Sequence, residues 1–381
     1  MSWITSRPIL VPNDGYEVDS ISAVVIDKDQ IVVGYQHQLN DNCDMDLNMS
    51  ELHSNTNKYA PLSLKGRPIK YMTNMVPHND KLYVAVSCWG EETINLEPDG
   101  DSFYLRIFVT TTINRRNEWS CIRKSKLMLG DELDNYNMVA ADDYLYIFGE
   151  HDNMNRRYNI IKNEWEMLQP MPTQKRWIFS DAVRCGKYIF LFFSHIENWQ
   201  SMIWTTVEVF DITNQQWVTV DKPSSIPCRI FHATVAVNER YIVVIGGINL
   251  QSVTLLDSQI LDTFTNIWYT SECNMSTKRS NFGATVLNGI DPRLTVIGDH
   301  LTMIGGENEV AKDLCSVETI SLYQLQPKLL PYWQKELHKY FCTKTKNRVT
   351  SILQVVRRGD LPIPKEIFME HIFAYACSPI D

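Results

Sequence analysis

No stretch of the sequence approaches the roughly 18 to 20 continuous apolar residues that a membrane-spanning helix needs. The longest apolar runs are short pieces such as YIFLFF at 188–193. The opening residues, MSWITSRPIL, lack a charged start followed by an apolar stretch, so no secretory leader is expected. The nine cysteines are odd in number and scattered, with no C-x-x-C pair to hold zinc or run redox chemistry. They read as free thiols in a reducing compartment, which points to the cytoplasm or nucleus. A basic footprint is also missing: 36 Lys and Arg face 45 Asp and Glu, for a net charge of −9. That balance argues against general nucleic-acid binding.

Catalytic signatures are equally scarce. The sequence has no H-E-x-x-H, no G-x-S-x-G and no phosphate-cradling G-x-x-x-x-G-K-[ST]. Its histidines are isolated from one another. The acidic stretch DNCDMDLN at 41–48 lacks the central glycine and closing glutamate of a calcium loop. Cys88 beside Trp89 has no assignable Tyr and His companions for a copper site. The expectation is therefore no enzyme, no metal and no cofactor.

What the sequence does contain is a repeat. Asn117-Glu-Trp119, Asn163-Glu-Trp165, Asn214-Gln-Gln-Trp217 and Asn266-Ile-Trp268 recur with their tryptophans 46, 52 and 51 residues apart. Upstream of each lies a β-branched and aromatic run, such as YLYIFGE at 144–150 and RYIVVIGG at 240–247; HLTMIGG at 300–306 belongs to a last unit. Such runs, bounded by Asn, Asp and Gly, are strand signals. A strand led by an aromatic precedes each run, as in Phe179-Ser-Asp-Ala-Val183, Phe231-His-Ala-Thr-Val235 and Phe282-Gly-Ala-Thr-Val286. A third strand follows, such as TTVEVFD at 205–211. Each unit thus reads as four strands.

This pattern resembles the kelch repeat, whose units of roughly 50 residues fold as four-stranded propeller blades. The resemblance covers residues 1–326 and implies an all-β, six-bladed β-propeller. First strands are expected near Ile21, Tyr71, Tyr136, Phe179, Phe231 and Phe282. Gly246, Gly247, Gly305 and Gly306 permit tight turns at strand ends, and Trp119, Trp165, Trp217 and Trp268 fill the wedge between neighbouring sheets. The last unit lacks a tryptophan-led strand after CSVETISLYQL at 315–325. SWITSRPIL has the shape of that missing strand, so residues 2–10, with Trp3, are expected to complete the last blade beside Val317 to Leu322 and leave no open edge.

From Pro327 the spacing turns helical and the charge changes sign. Residues 327–381 carry nine Lys and Arg against five Asp and Glu, leaving 27 against 40, or −13, for residues 1–326. SILQVVR at 351–357 followed by LPIP at 361–364 resembles a shortened SOCS box, and LPIPKEIFMEHIF resembles the opening of an F-box. Either resemblance implies a ubiquitin-ligase adaptor, with Ile352, Leu353, Val356, Leu361, Pro362 and Pro364 as its contacts. The alternative is a helical cap on the propeller.

One further feature points to binding. Arg67, Arg176, Arg229 and Arg279 each fall just before an aromatic-led strand. In a kelch propeller they converge on one rim of the channel, where guanidinium groups capture carboxylates, implying an acidic peptide or protein loop as partner. The competing reading has them bonding backbone carbonyls of neighbouring linkers. The sequence therefore favours a protein-interaction module, which the resemblance of its tail implies to be the substrate receptor of a cullin-type ligase, over a small-molecule enzyme working at the channel mouth, and it implies neither nucleic acid nor membrane as partner.

Overall fold

Asn163, Gln215 and Asn266 lie at φ of 61°, 56° and 55°, the left-handed region that asparagine tolerates. Each stands just before an outer strand, which explains the recurring turn ahead of tryptophan. The residue ending the third strand caps that turn: Asp211 Oδ1 accepts the N–H groups of Thr213 and Asn214, and Asn159 Oδ1 those of Ile161 and Lys162. Local chemistry of this kind, repeated along the chain, builds antiparallel sheets.

In the computed structural model these sheets form an all-β propeller of five blades. The structure describes residues 4–5, 18–27, 30–38, 45–53, 57–58, 69–79, 81–89, 103–111, 120–122, 127–130, 136–149, 155–172, 177–196, 202–219, 223–237, 239–271, 273–287, 290–291, 296–297, 300–310 and 317–321. Three sheets each hold one repeat in simple order. Tyr136–Ala141, Tyr144–Gly149, Arg156–Asn159 and Glu164–Met167 form one. Trp177–Cys185, Tyr188–Ile196, Met202–Asp211 and Gln216–Trp217 form the next, with Ile226–Pro227 added beside Met202–Asp211. Ala233–Val237, Tyr241–Ile245, Ser258–Asp262 and Ile267–Thr270 form the third.

The expected count of six blades is corrected at the N-terminal side. Val18–Asp27, Gln30–Gln38 and Met45–His53 do not end a sheet of their own, because Met45 pairs with Ile69 at the start of Ile69–His78. The first two repeats thereby run together as one nine-stranded sheet. The last sheet holds Gly283–Leu287, His300–Ile304 and Val317–Ser321, with Ile4–Thr5 as its outermost strand. Ile4 pairs with Thr319 and Thr5 with Glu318, antiparallel. First strands adjoin one another around the centre in chain order, and Gly283–Leu287 returns to Val18–Asp27.

The core is a set of slabs between adjacent sheets. Val243 and Ile245 pack with Leu301 and Met303 across one seam, and Phe148 with Leu191, Phe193 and Phe210 across another. All five residues of Tyr241–Ile245 are buried, because both faces of a middle strand are covered. The outer-strand tryptophans bridge seams. Trp217 packs edge-on against Phe148 of the preceding sheet at 5.9 Å, and its Nε1–H donates to Gln169 O at 2.9 Å. Trp268 Nε1–H donates likewise to Ser224 O at 2.8 Å. Trp165 meets Tyr158 edge-on at 5.1 Å.

Candidate functional site

First strands begin, and second strands end, at one end of each sheet. There Ala233 pairs with Ile245, and Gly283 with Ile304. Counting back four residues from each gives Arg229 and Arg279, which are therefore equivalent. Gly246 and Gly247, at φ of 58° and 90°, carry the chain between them. A Cβ on Gly247 would stand 2.6 Å from Ile230 O, and one on Gly246 2.6 Å from Arg279 O. The backbone approach is too close for any side chain. In return Gly247 N–H donates to Arg279 O at 2.8 Å, joining two neighbouring sheets.

The guanidinium groups turn inward. Arg279 and Glu318 are both 0 % exposed in their side chains, with Nη2–H donating to Oε1 at 2.8 Å and Nη1–H to Gly305 O. Arg229 donates to Asp257 Oδ2 at 2.9 Å and to Gly246 O at 3.2 Å, but Asp257 is 31 % exposed. Burial would raise the Asp257 carboxyl, and the Arg229 charge with bonds from Gln259 and Arg229 outweighs it, holding the group below the usual carboxylate range. Both arginines thus tie a strand end to a carboxylate and a carbonyl within their own sheet, and neither guanidinium faces solvent.

The same register moves the aromatic lead by one residue. Ala233 and Gly283 are equivalent, so His232 occupies the seat of Phe282, and Phe231 that of Asn281. His232 is buried, its ring edge-on to Phe192 at 5.8 Å and its Nδ1 3.1 Å from Arg229 O. Burial, reinforced by the Arg229 charge, pushes its pKa down to about 3, so it is neutral. Phe231 and Asn281 lie at φ of 53° and 50°. For asparagine this is ordinary; for an aromatic it is not.

Around Phe231 the loops form one hydrogen-bonded surface. Asn281 N–H donates to Phe231 O at 3.0 Å, and Asn281 Nδ2–H to Glu307 Oε1. Glu309 Oε1 accepts Thr254 N–H at 2.7 Å and Lys278 Nζ–H at 3.3 Å, crossing from the last sheet to its neighbour. Val253 N–H donates to Asn249 Oδ1 at 3.0 Å, closing the intervening loop on itself. Four apolar side chains stand out of this framework: Phe231 at 40 % exposure, Leu250 at 38 %, Val253 at 39 % and Val310 at 95 %.

A second polar feature lies at the channel. Register slips between Phe179 and Asp181, a bulge that re-aims Asp181 toward the next first strand. Asp181 Oδ2 accepts Thr234 N–H at 2.7 Å and Thr234 Oγ1–H at 2.6 Å, while Oδ1 accepts Ala182 N–H at 2.8 Å. Thr234 N–H points off the open edge of its strand, away from its ladder partner Val244. The carboxylate therefore joins two first strands along the channel side. Burial raises its pKa to about 6 against these three bonds.

Of the residues singled out in the sequence, Arg67, Arg176, Trp3, Trp119 and the adaptor contacts Ile352, Leu353, Val356, Leu361, Pro362 and Pro364 lie outside the described residues. Arg229 and Arg279 come to adjacent seams. Spacing in the sequence does not mark Asp181, Asp257, Glu318 or the left-handed conformation of Phe231. The signal available for Asp257 and Glu318 is an acid at or beside the start of their own third strands, Ser258–Asp262 and Val317–Ser321. Among the described residues no three His, Cys, Asp or Glu side chains converge as a metal site.

No known family profile matches the chain, and no curated protein resembles it in sequence. Solved structures do share its fold. The structure of YjhT is similar with a TM-score of 0.52 at 13 % identity, over 83 % of this chain and 96 % of that one. The α-L-arabinofuranosidase Arb93A from Fusarium graminearum, solved in complex with an iminosugar inhibitor, is similar with a TM-score of 0.56 at 8 % identity, over 85 % and 98 %. At these identities the likeness is one of fold: the chain is a β-propeller.

Proposed function

We propose that this chain is a protein-interaction propeller of the kelch type that recognises a partner at the loop end of its sheets. The observation that carries the reading is the exposed apolar set Phe231, Leu250, Val253 and Val310 on loops that hydrogen bonds hold in place. The resemblance of SILQVVR and LPIP to adaptor boxes supports a role as substrate receptor of a cullin-type ubiquitin ligase. Affinity purification of the full chain followed by mass spectrometry tests this. Recovery of elongin, cullin or the F-box adaptor, lost on deletion of 345–381, is the expected result. Recovery of none of them removes the ligase role.

A second reading has one observation in its favour. A carboxyl raised to about 6 at a channel edge is the kind of group an acid–base enzyme uses. The arabinofuranosidase likeness makes 4-nitrophenyl α-L-arabinofuranoside the first substrate to try. Turnover by the wild type that disappears in Asp181→Asn supports the enzyme reading; no turnover above buffer counts against it.

A further inference from the structure

We infer that the surface centred on Phe231 takes a protein segment carrying a large apolar side chain flanked by lysine or arginine. This rests on the protein-binding reading above and reverses the charge expected of the partner from the sequence.

The apolar half of the argument is the equivalence of Phe231 and Asn281. Both sit in the left-handed region at the same place in consecutive repeats. Asn281 is suited to that backbone and uses its side chain on Glu307. Phe231 gives up backbone ease and leaves an aromatic ring 40 % exposed. The next repeat completes the same turn with asparagine, and an exposed aromatic on a fixed backbone is a good anchor for a partner. Leu250 and Val253 stand on a loop of the same sheet, and Val310 on the corresponding loop of its neighbour.

The charged half comes from the loops beside Phe231. The segments 246–256 and 305–310, which follow the second strands of these two sheets, carry Glu307 and Glu309 and no Lys or Arg. Near Phe231, Glu307 and Glu309 outnumber Lys278. Arg229 and Arg279, in the linkers into these two first strands, are buried and taken up by Asp257 and Glu318. A basic, apolar segment is complementary to such an end; an acidic one is repelled.

The test selects phage-displayed random peptides of about twelve residues on the immobilised full-length chain and measures the enriched peptide by fluorescence polarisation. Enriched peptides are expected to hold an aromatic or leucine beside Lys or Arg. Their affinity should fall about tenfold or more in Phe231→Asn, a change the backbone accommodates as it does Asn281. It should fall several-fold in Glu309→Gln, which keeps the oxygen that receives Thr254 N–H, and on raising salt from roughly 50 to 500 mM. Melting temperatures matching the wild type confirm that both variants are folded. Acidic enriched peptides, or basic ones indifferent to Phe231→Asn, overturn the inference and leave protein binding standing. A dimer that Phe231→Asn converts to monomer assigns the patch to a second copy and also overturns it. No enrichment over an unrelated propeller overturns both readings.

Discussion

Arg229 and Arg279 hold the same position in consecutive repeats, yet they are finished differently. Arg279 meets Glu318 with both side chains sealed from water; Arg229 meets Asp257, which remains 31 % exposed. The difference traces to one site. Glu318 pairs with Met303 in its ladder, and the equivalent partner of Val244 is Gln259. Glu208, opposite Leu191, is buried at that place one sheet earlier. With glutamine there, Arg229 turns to Asp257 at the strand's entrance, and Gln259 donates to the same carboxylate at 3.0 Å. A repeat can therefore conserve its cation and relocate its anion, and the relocation decides how much water the pair sees.

The largest test of that contrast is Glu318→Ala, which strands a fully buried guanidinium and should cost about 3–5 kcal/mol in urea denaturation. Next comes Gly247→Ala. Its φ of 90° and the 2.6 Å approach of Ile230 O should cost about 2–3 kcal/mol by the same measurement. Asp257→Ala should cost only about 1–2 kcal/mol, because water reaches the group it leaves behind. Adding Gln259→Glu to that variant should recover most of the loss, by giving Arg229 the anion Arg279 already has. Ser194→Ala belongs at the small end. Ser194 aligns with Gly247, and its Oγ–H donates to Arg229 O at 2.9 Å where Gly247 uses its backbone N–H. Thr205 Oγ1 lies 3.1 Å from the same carbonyl, so the loss should be about 1 kcal/mol.

The two aspartates near these seams should respond to acid in opposite directions. Asp257 lies below its ordinary value, so its contribution is present at neutral pH and is lost as pH falls through its folded pKa. Asp181 lies above, at about 6, so the folded state binds its proton more tightly than the unfolded chain does. Lowering pH from 7 toward 5 should therefore add stability through Asp181, read as a rise of a degree or two in melting temperature. Asp181→Asn should flatten that slope.

The propeller was legible because its turns use few residue types: asparagine before tryptophan, and glycines where backbones nearly touch. The blade count was not. A single pairing, Met45 with Ile69, merges two repeats, and no local pattern announces it. The aromatic lead misled by one position. Phe231 and Phe282 look alike in sequence, but the arginine four residues before the strand is the better ruler, and it puts Phe231 beside Asn281. The site was harder still, since Asp257 and Glu318 sit at different offsets and their pairing with arginine depends on packing rather than on spacing.

The pairing of Ile4 with Thr319 has a consequence for how the molecule is made. More than three hundred residues separate the two sides of that ladder. Ile4–Thr5, made before the five blades that follow it, must wait for this partner until Val317–Ser321 has been synthesised. Among the described strands this pairing has the longest chain separation, costly in entropy and slow to form. Until it forms, the last sheet keeps an open edge during synthesis, which is the point where chaperones would be needed and where misassembly with another chain would begin.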